Sequence, residues 1–171
     1  MEVDNLIINK VAESGLITID LSKYIPNEEV VGFDIEPHLF QGLILREKDF
    51  RTFVKEHDWN FYAGKSIAIF CSADAIVPTW AFMLISSKLA PVAHRITFGE
   101  VEVMNTLLFD QALHKLDLAP YQNQRIVVKG CSDSRIPVSA YVLLTALLIP
   151  VAKSVMYGEP CSTVPLFKRK D

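Results

Sequence analysis

The chain carries one stretch twice, and that duplication limits its fold more than any other feature. Residues 65–100, KSIAIFCSADAIVPTWAFMLISSKLAPVAHRITFGE, align without a gap with residues 124–159, QRIVVKGCSDSRIPVSAYVLLTALLIPVAKSVMYGE, when advanced 59 positions from 65 to 124. The copies are identical at 11 of 36 positions, among them Asp74/Asp133, Pro78/Pro137, Leu89/Leu148, Gly99/Gly158 and Glu100/Glu159. A fixed internal offset means one structural unit used twice.

Each copy reads strand, loop, helix, strand. Ile67 to Phe70 and Ile126 to Val128 are short, largely β-branched runs, and Val92 to Phe98 and Val151 to Tyr157 are again strand-like before a Gly-Glu stop. Thr79–Ala90 and Val138–Ile149 each lie between prolines, the first suited to an opening helical turn and the second to a stop. Strand, crossover helix, strand is a right-handed βαβ unit with parallel strands. The helices are apolar nearly all round, which predicts elements packed on a sheet and covered again. With an amphipathic helix over residues 102–118, the pattern predicts a continuous series of strands and helices across 65–158. The expected fold class is α/β, a mainly parallel sheet built on an internally duplicated βαβ unit (65–100 and 124–159) with an N-terminal α/β extension.

Residues 4–14 suit a short helix, capped by Asp4 and ended by Gly15. Leu16 to Leu21 alternates as a strand with one wet face, and Pro26 with Asn-Glu-Glu makes a turn. Pro37 and Gly42 break any single helix over 33–45, leaving Leu43, Ile44 and Leu45 as a short buried strand. Phe50, Phe53, Val54 and His57 then mark a helix over 47–58. At 171 residues, half of them hydrophobic, the chain is expected to form one domain: extension 1–64, first repeat with trailing helix 65–123, second repeat and tail 124–171.

A net charge of -3 argues against nucleic acid as a partner, and Lys168-Arg169-Lys170 reads as a solvated tail. The opening MEVDNLIINK is acidic and has no signal-peptide core, and Val138–Ile149 is too short to span ~30 Å of hydrocarbon. Three cysteines, an odd number without secretory context, indicate a reduced, cytoplasmic protein.

In an open parallel sheet ligands bind beyond the carboxyl ends of the strands. The candidates there are Asp74, Asp133, Arg135, Glu100 and Glu159 as ligand-binding residues, and Cys71, Cys131 and Cys161 as metal ligands. Each cysteine follows a strand end and precedes a serine. On one reading the three thiolates converge on zinc or iron, with Asp74, Asp133 or a water completing the shell. On another, one thiol is a nucleophile activated by a helix N-terminus. The alternative to both is that the cysteines are small apolar residues and the carboxylates are caps. A non-enzymatic class stands beside these: a binding or scaffold protein whose pseudo-symmetric helices form a homodimer face. No reaction is specified, and whether the chain is an enzyme stays open.

Two resemblances add to this. CSDSR, residues 131–135, resembles the signature of β-class carbonic anhydrases. That implies Cys131 as a zinc ligand and Asp133 with Arg135 as a gating pair. The same family carries a downstream His-x-x-Cys, whereas Gly158 stands at the histidine position before Cys161. Over nearly its full length, through SGLITIDL, FQGLILREKDF, CSADAIVPTWAFML and VMYGEPCSTVPLFKR, the chain resembles a bacterial protein family known only as a domain of unknown function. That resemblance implies a cytosolic, one-domain protein and brings no catalytic residue with it.

Overall fold

The computed structural model describes residues 15–129, 133–159 and 162–170. The helix expected over 4–14 lies outside them. Among the described residues are seven strands: β1 (Leu16–Asp20), β2 (Val30–Asp34), β3 (Ser66–Phe70), β4 (Arg95–Phe98), β5 (Arg125–Lys129), β6 (Ser154–Glu159) and β7 (Ser162–Lys168). Four α-helices accompany them: α1 (Glu47–Glu56), α2 (Thr79–Leu89), α3 (Val101–His114) and α4 (Val138–Leu148). The class is mixed α/β with mainly parallel strands.

The duplication holds in detail. β3 pairs in parallel with β4 from Ser66 opposite Arg95, and β5 with β6 from Arg125 opposite Ser154, which are the same pairs moved by the repeat offset. The main-chain bonds that close the units repeat too. Gly64 N–H donates to Val92 O at 2.9 Å and Asn123 N–H to Val151 O at 2.8 Å. Gly64 and Asn123 both adopt positive φ, 72° and 56°, a conformation that glycine and asparagine tolerate best. The equivalence reaches upstream of the alignment: Asp58 and Asp117 each accept the backbone N–H two residues on, at 3.0 Å, at the entry to a single 3-10 turn.

The copies do not share a sheet, as a continuous series across 65–158 had suggested. One sheet has the order β2-β3-β4, all parallel; the other has β1-β5-β6-β7, with β7 antiparallel on β6. The reason lies in the extension. It supplies two strands rather than one, and each serves a different copy: Val30 of β2 lies opposite Ser66, and Leu16 of β1 opposite Arg125. Each copy thus completes a sheet of its own. The chain accordingly divides into two compact units, Pro26–Leu108 and, around it in sequence, the residues up to Ile25 with those from Phe109 on.

In the inner unit, Phe33, Ile67 and Ile69 from the sheet meet Ala81, Ile85 and Leu89 of α2 and Phe50 and Val54 of α1. On the other side of β3, Ala68 meets Met104 and Leu108 of α3. In the outer unit, Ile19, Ile126, Val128 and Val155 meet Ala140, Leu144 and Leu148 of α4 and Phe109 and Leu113 of α3. The central strands β3 and β5 are runs of buried aliphatic residues, as strands covered on both faces require.

Three local expectations are corrected. Val30–Asp34 is a strand, and Leu43 and Ile44 are 63% and 61% exposed rather than parts of a buried one. Gly32 hides the strand signal, but the space above it is taken by the Phe70 ring, 2.9 Å from where a Cβ would stand. The tail is also a strand: β7 tolerates Pro165 because it lies at a sheet edge. Arg169 fastens its end, donating to Pro150 O at 2.7 Å and Asn123 Oδ1 at 3.1 Å. Finally, α2 and α4 are buried along a single stripe, Ala81-Ile85-Leu89 and Ala140-Leu144-Leu148, so their outer faces are not covered again.

Candidate functional site

The carboxyl ends of the parallel strands gather acidic residues, and the structure shows what each one does. In the inner unit Asp34 ends β2. Its Oδ1 accepts the N–H of Glu36 at 2.9 Å and of Ser72 at 3.0 Å, and its Oδ2 accepts the Ser72 hydroxyl at 2.6 Å. Partial burial opposes ionisation, but the Ser72 hydroxyl, the two amides and nearby His38 outweigh it, so its pKa lies below the usual carboxylate value. Cys71, next to this contact, is half-buried, with its thiol 3.7 Å from Ala73 O. Asp74 is exposed and its carboxylate accepts no bond from a described residue. Glu100 is likewise exposed, and its carbonyl accepts the Val103 N–H at the start of α3.

In the outer unit Asp20 ends β1 at the equivalent place. It accepts the Ser22 hydroxyl at 2.6 Å and amide at 3.0 Å. That hydroxyl bond is the main cause of its lowered pKa; burial opposes it, and the amide and Lys129 add to it. Lys129, ending β5, stands 3.7 Å from Asp20 and 3.6 Å from Glu159, which ends β6. The row Asp20, Lys129, Glu159 therefore lies across three neighbouring strand ends. Asp133 accepts the Arg135 backbone N–H and Nε, both at 3.0 Å, and its second nitrogen at 2.7 Å. The Arg135 side chain foremost, then its amide, holds the Asp133 pKa down at about 2.

Of the expected site residues, Glu159 is thus brought to Lys129 and Asp133 to Arg135, while Asp74 and Glu100 stand apart. Cys131 and Cys161 lie outside the described residues. The premise that all three thiols follow one sheet edge is corrected: Cys71 follows β3 of one sheet, whereas β5 and β6 belong to the other. Among the described residues no three His, Cys, Asp or Glu side chains are grouped to hold a metal. Sequence reasoning missed Asp20, Asp34 and Lys129. The available signal was that LITID and VVGFD both end in aspartate at equal registers.

The other feature is apolar. In the inner unit Thr79, Phe82, Met83, Ser86 and Phe98 line an open groove of about 560 Å³ beside β4. Met83 is 67% and Phe98 71% exposed, and the Phe82 and Phe98 rings meet edge-on at 5.2 Å. The outer unit repeats the arrangement: Tyr141 and Tyr157 meet edge-on at 5.8 Å, and Val142 is 66% exposed. No described helix is long and apolar enough to cross a membrane.

The chain matches the family described as "Protein of unknown function (DUF2480)" over residues 5–169. No curated protein and no solved structure matches it. The likeness to β-class carbonic anhydrases is confined to residues 131–135. Asp133 and Arg135 form a self-contained turn at the start of the second copy's helix, and the full-length match is to another family.

Proposed function

From the premise that this chain belongs to the DUF2480 family, we propose that it is a non-enzymatic binding protein that works by assembly through the exposed apolar faces of α2 and α4. One observation carries the reading. Both copies of the repeat keep large apolar side chains on the outward face of the helix, Met83 in one and Val142 in the other, each about two-thirds exposed. Exposed apolar side chains kept at the same helix face in both copies, beside the groove of Phe82, Met83 and Phe98 in the inner unit, support an interaction surface. The polar groups at the described strand ends fit the same reading, because Asp20, Asp34 and Asp133 are engaged by neighbours in their own turns. The reading takes the protein to be cytosolic and bacterial, on the reduced-cysteine argument and the full-length resemblance.

Sedimentation of the full chain tests it. The wild type should sediment above its 19.2 kDa monomer mass, and a Met83→Lys/Val142→Lys variant should return to that mass with an unchanged melting temperature. A wild type that stays monomeric at every concentration would sink the reading.

A second reading, a thiolate site for zinc or iron, is favoured by one observation: β5 and β6 are hydrogen-bonded neighbours. Cys131 and Cys161 follow these two strands in sequence, and thiols at adjacent strand ends can share an ion at Zn–S distances of ~2.3 Å. Elemental analysis of the purified protein decides it, near-stoichiometric metal supporting the site and metal-free protein removing it.

A further inference from the structure

The two copies of the repeat differ in one respect that points to a partner. The outer side of β6 is paired with β7, antiparallel, with Tyr157 opposite Val164 and Glu159 opposite Ser162. Among the described residues the equivalent strand β4 is the edge of its three-stranded sheet. Gly99 N–H is spent on Ile69 O of β3, so by alternation along the strand the main-chain groups of Ile96 and Phe98 point to the outer edge. Shifted by the repeat offset, Ile96 and Phe98 are Val155 and Tyr157, residues that β7 pairs with in the other unit.

We infer that the edge of β4 is completed by β4 of a second copy of this chain, running antiparallel about a two-fold axis through Thr97. The inference rests on the assembly reading above and names its partner. Three features support a second copy. First, a two-fold axis normal to the sheet necessarily makes the strands antiparallel, the sense in which β7 completes β6. Second, the register it imposes is complementary. Thr97 faces Thr97, and Ile96 and Phe98 exchange main-chain bonds. Third, the groove of Phe82 and Met83 runs beside this edge, so the same contact covers it. An edge strand that stays open is an aggregation liability.

The test uses the full chain in two ways. Thr97 pairs with itself as a non-hydrogen-bonded pair, for which the Cα atoms stand ~4.5 Å apart, within the range a disulfide spans. Thr97→Cys should therefore form a covalent dimer under mild oxidation that the wild type, with its native cysteines, does not form. In sedimentation, Phe98→Lys should raise the dimer dissociation constant about 100-fold, the scale of losing a central apolar contact. Phe98 is exposed in the single chain, so circular dichroism should show the variant folded. An oxidised Thr97→Cys protein no more cross-linked than the wild type overturns the β4 pairing. A dimer that survives Phe98→Lys but is lost in Val142→Lys overturns it too, while leaving the assembly reading intact. A wild type monomeric at all concentrations overturns both.

Discussion

Asp133 and Asp74 occupy equivalent positions in the two copies and yet do different work, because the residue two places on is Arg135 in one and Ile76 in the other. An NMR titration of Asp133 should give a midpoint at about 2, and Arg135→Ala should bring it back toward the ordinary aspartate value. The folded-state pKa is depressed, so whatever Asp133 contributes to stability is present above the unfolded-state value and disappears as pH falls toward about 2. Asp34 tests the neighbouring idea that a carboxylate holding a turn matters more than one that is merely acidic. Asp34→Ala leaves the Glu36 and Ser72 amides and the Ser72 hydroxyl without an acceptor, which should cost ~1 kcal/mol in urea denaturation. Asp74→Ala, whose carboxylate accepts no bond from a described residue, should fall within ~0.5 kcal/mol of wild type. Equal losses for the two would refute the distinction.

At the scale of elements, the helices and inner strands were legible because proline brackets, β-branched runs and 3.6-residue spacing agree with the structure. Thr79–Leu89 and Val138–Leu148 differ from their expected spans by one residue each. What was not legible depended on partners remote in sequence. Val30–Asp34 has a glycine at its centre and becomes a strand only because β3 lies beside it with the Phe70 ring over the gap. β7 contains a proline that would forbid a central strand, and only its edge position admits it. Of the candidate site, the Asp133–Arg135 pair could be read locally, while Lys129 between Asp20 and Glu159 required the strand order. The two Gly-Glu stops make a further element-scale comparison. Both glycines have φ of 119°, but a Cβ at Gly158 would stand 2.6 Å from the backbone oxygen of Ser162, whereas at Gly99 it would meet the movable Val103 side chain at 2.8 Å. Gly158→Ala should therefore destabilise by roughly 1–3 kcal/mol and by more than Gly99→Ala, as thermal melts of the two variants will show. The reverse order would mean that the hairpin into β7 can shift to make room.

For the whole molecule, the telling element is α3. It is one uninterrupted helix, but Met104 and Leu108 belong to one core cluster while Phe109 and Leu113 belong to another. The pairing of β1 with β5 has a consequence of timing. Leu16 must wait for Arg125, and at ~5–20 residues per second on the ribosome that delay is roughly 5–20 s. Meanwhile β2, β3 and β4 have all emerged and can pair, so the inner unit is assembled while the first strand of the outer one is still an orphan. Nascent chains arrested once Leu108 has cleared the ribosome should accordingly be cut by protease before Ile25 and resist it between β2 and β4. Resistance at β1 in such chains would mean that it is held by something other than its final neighbour.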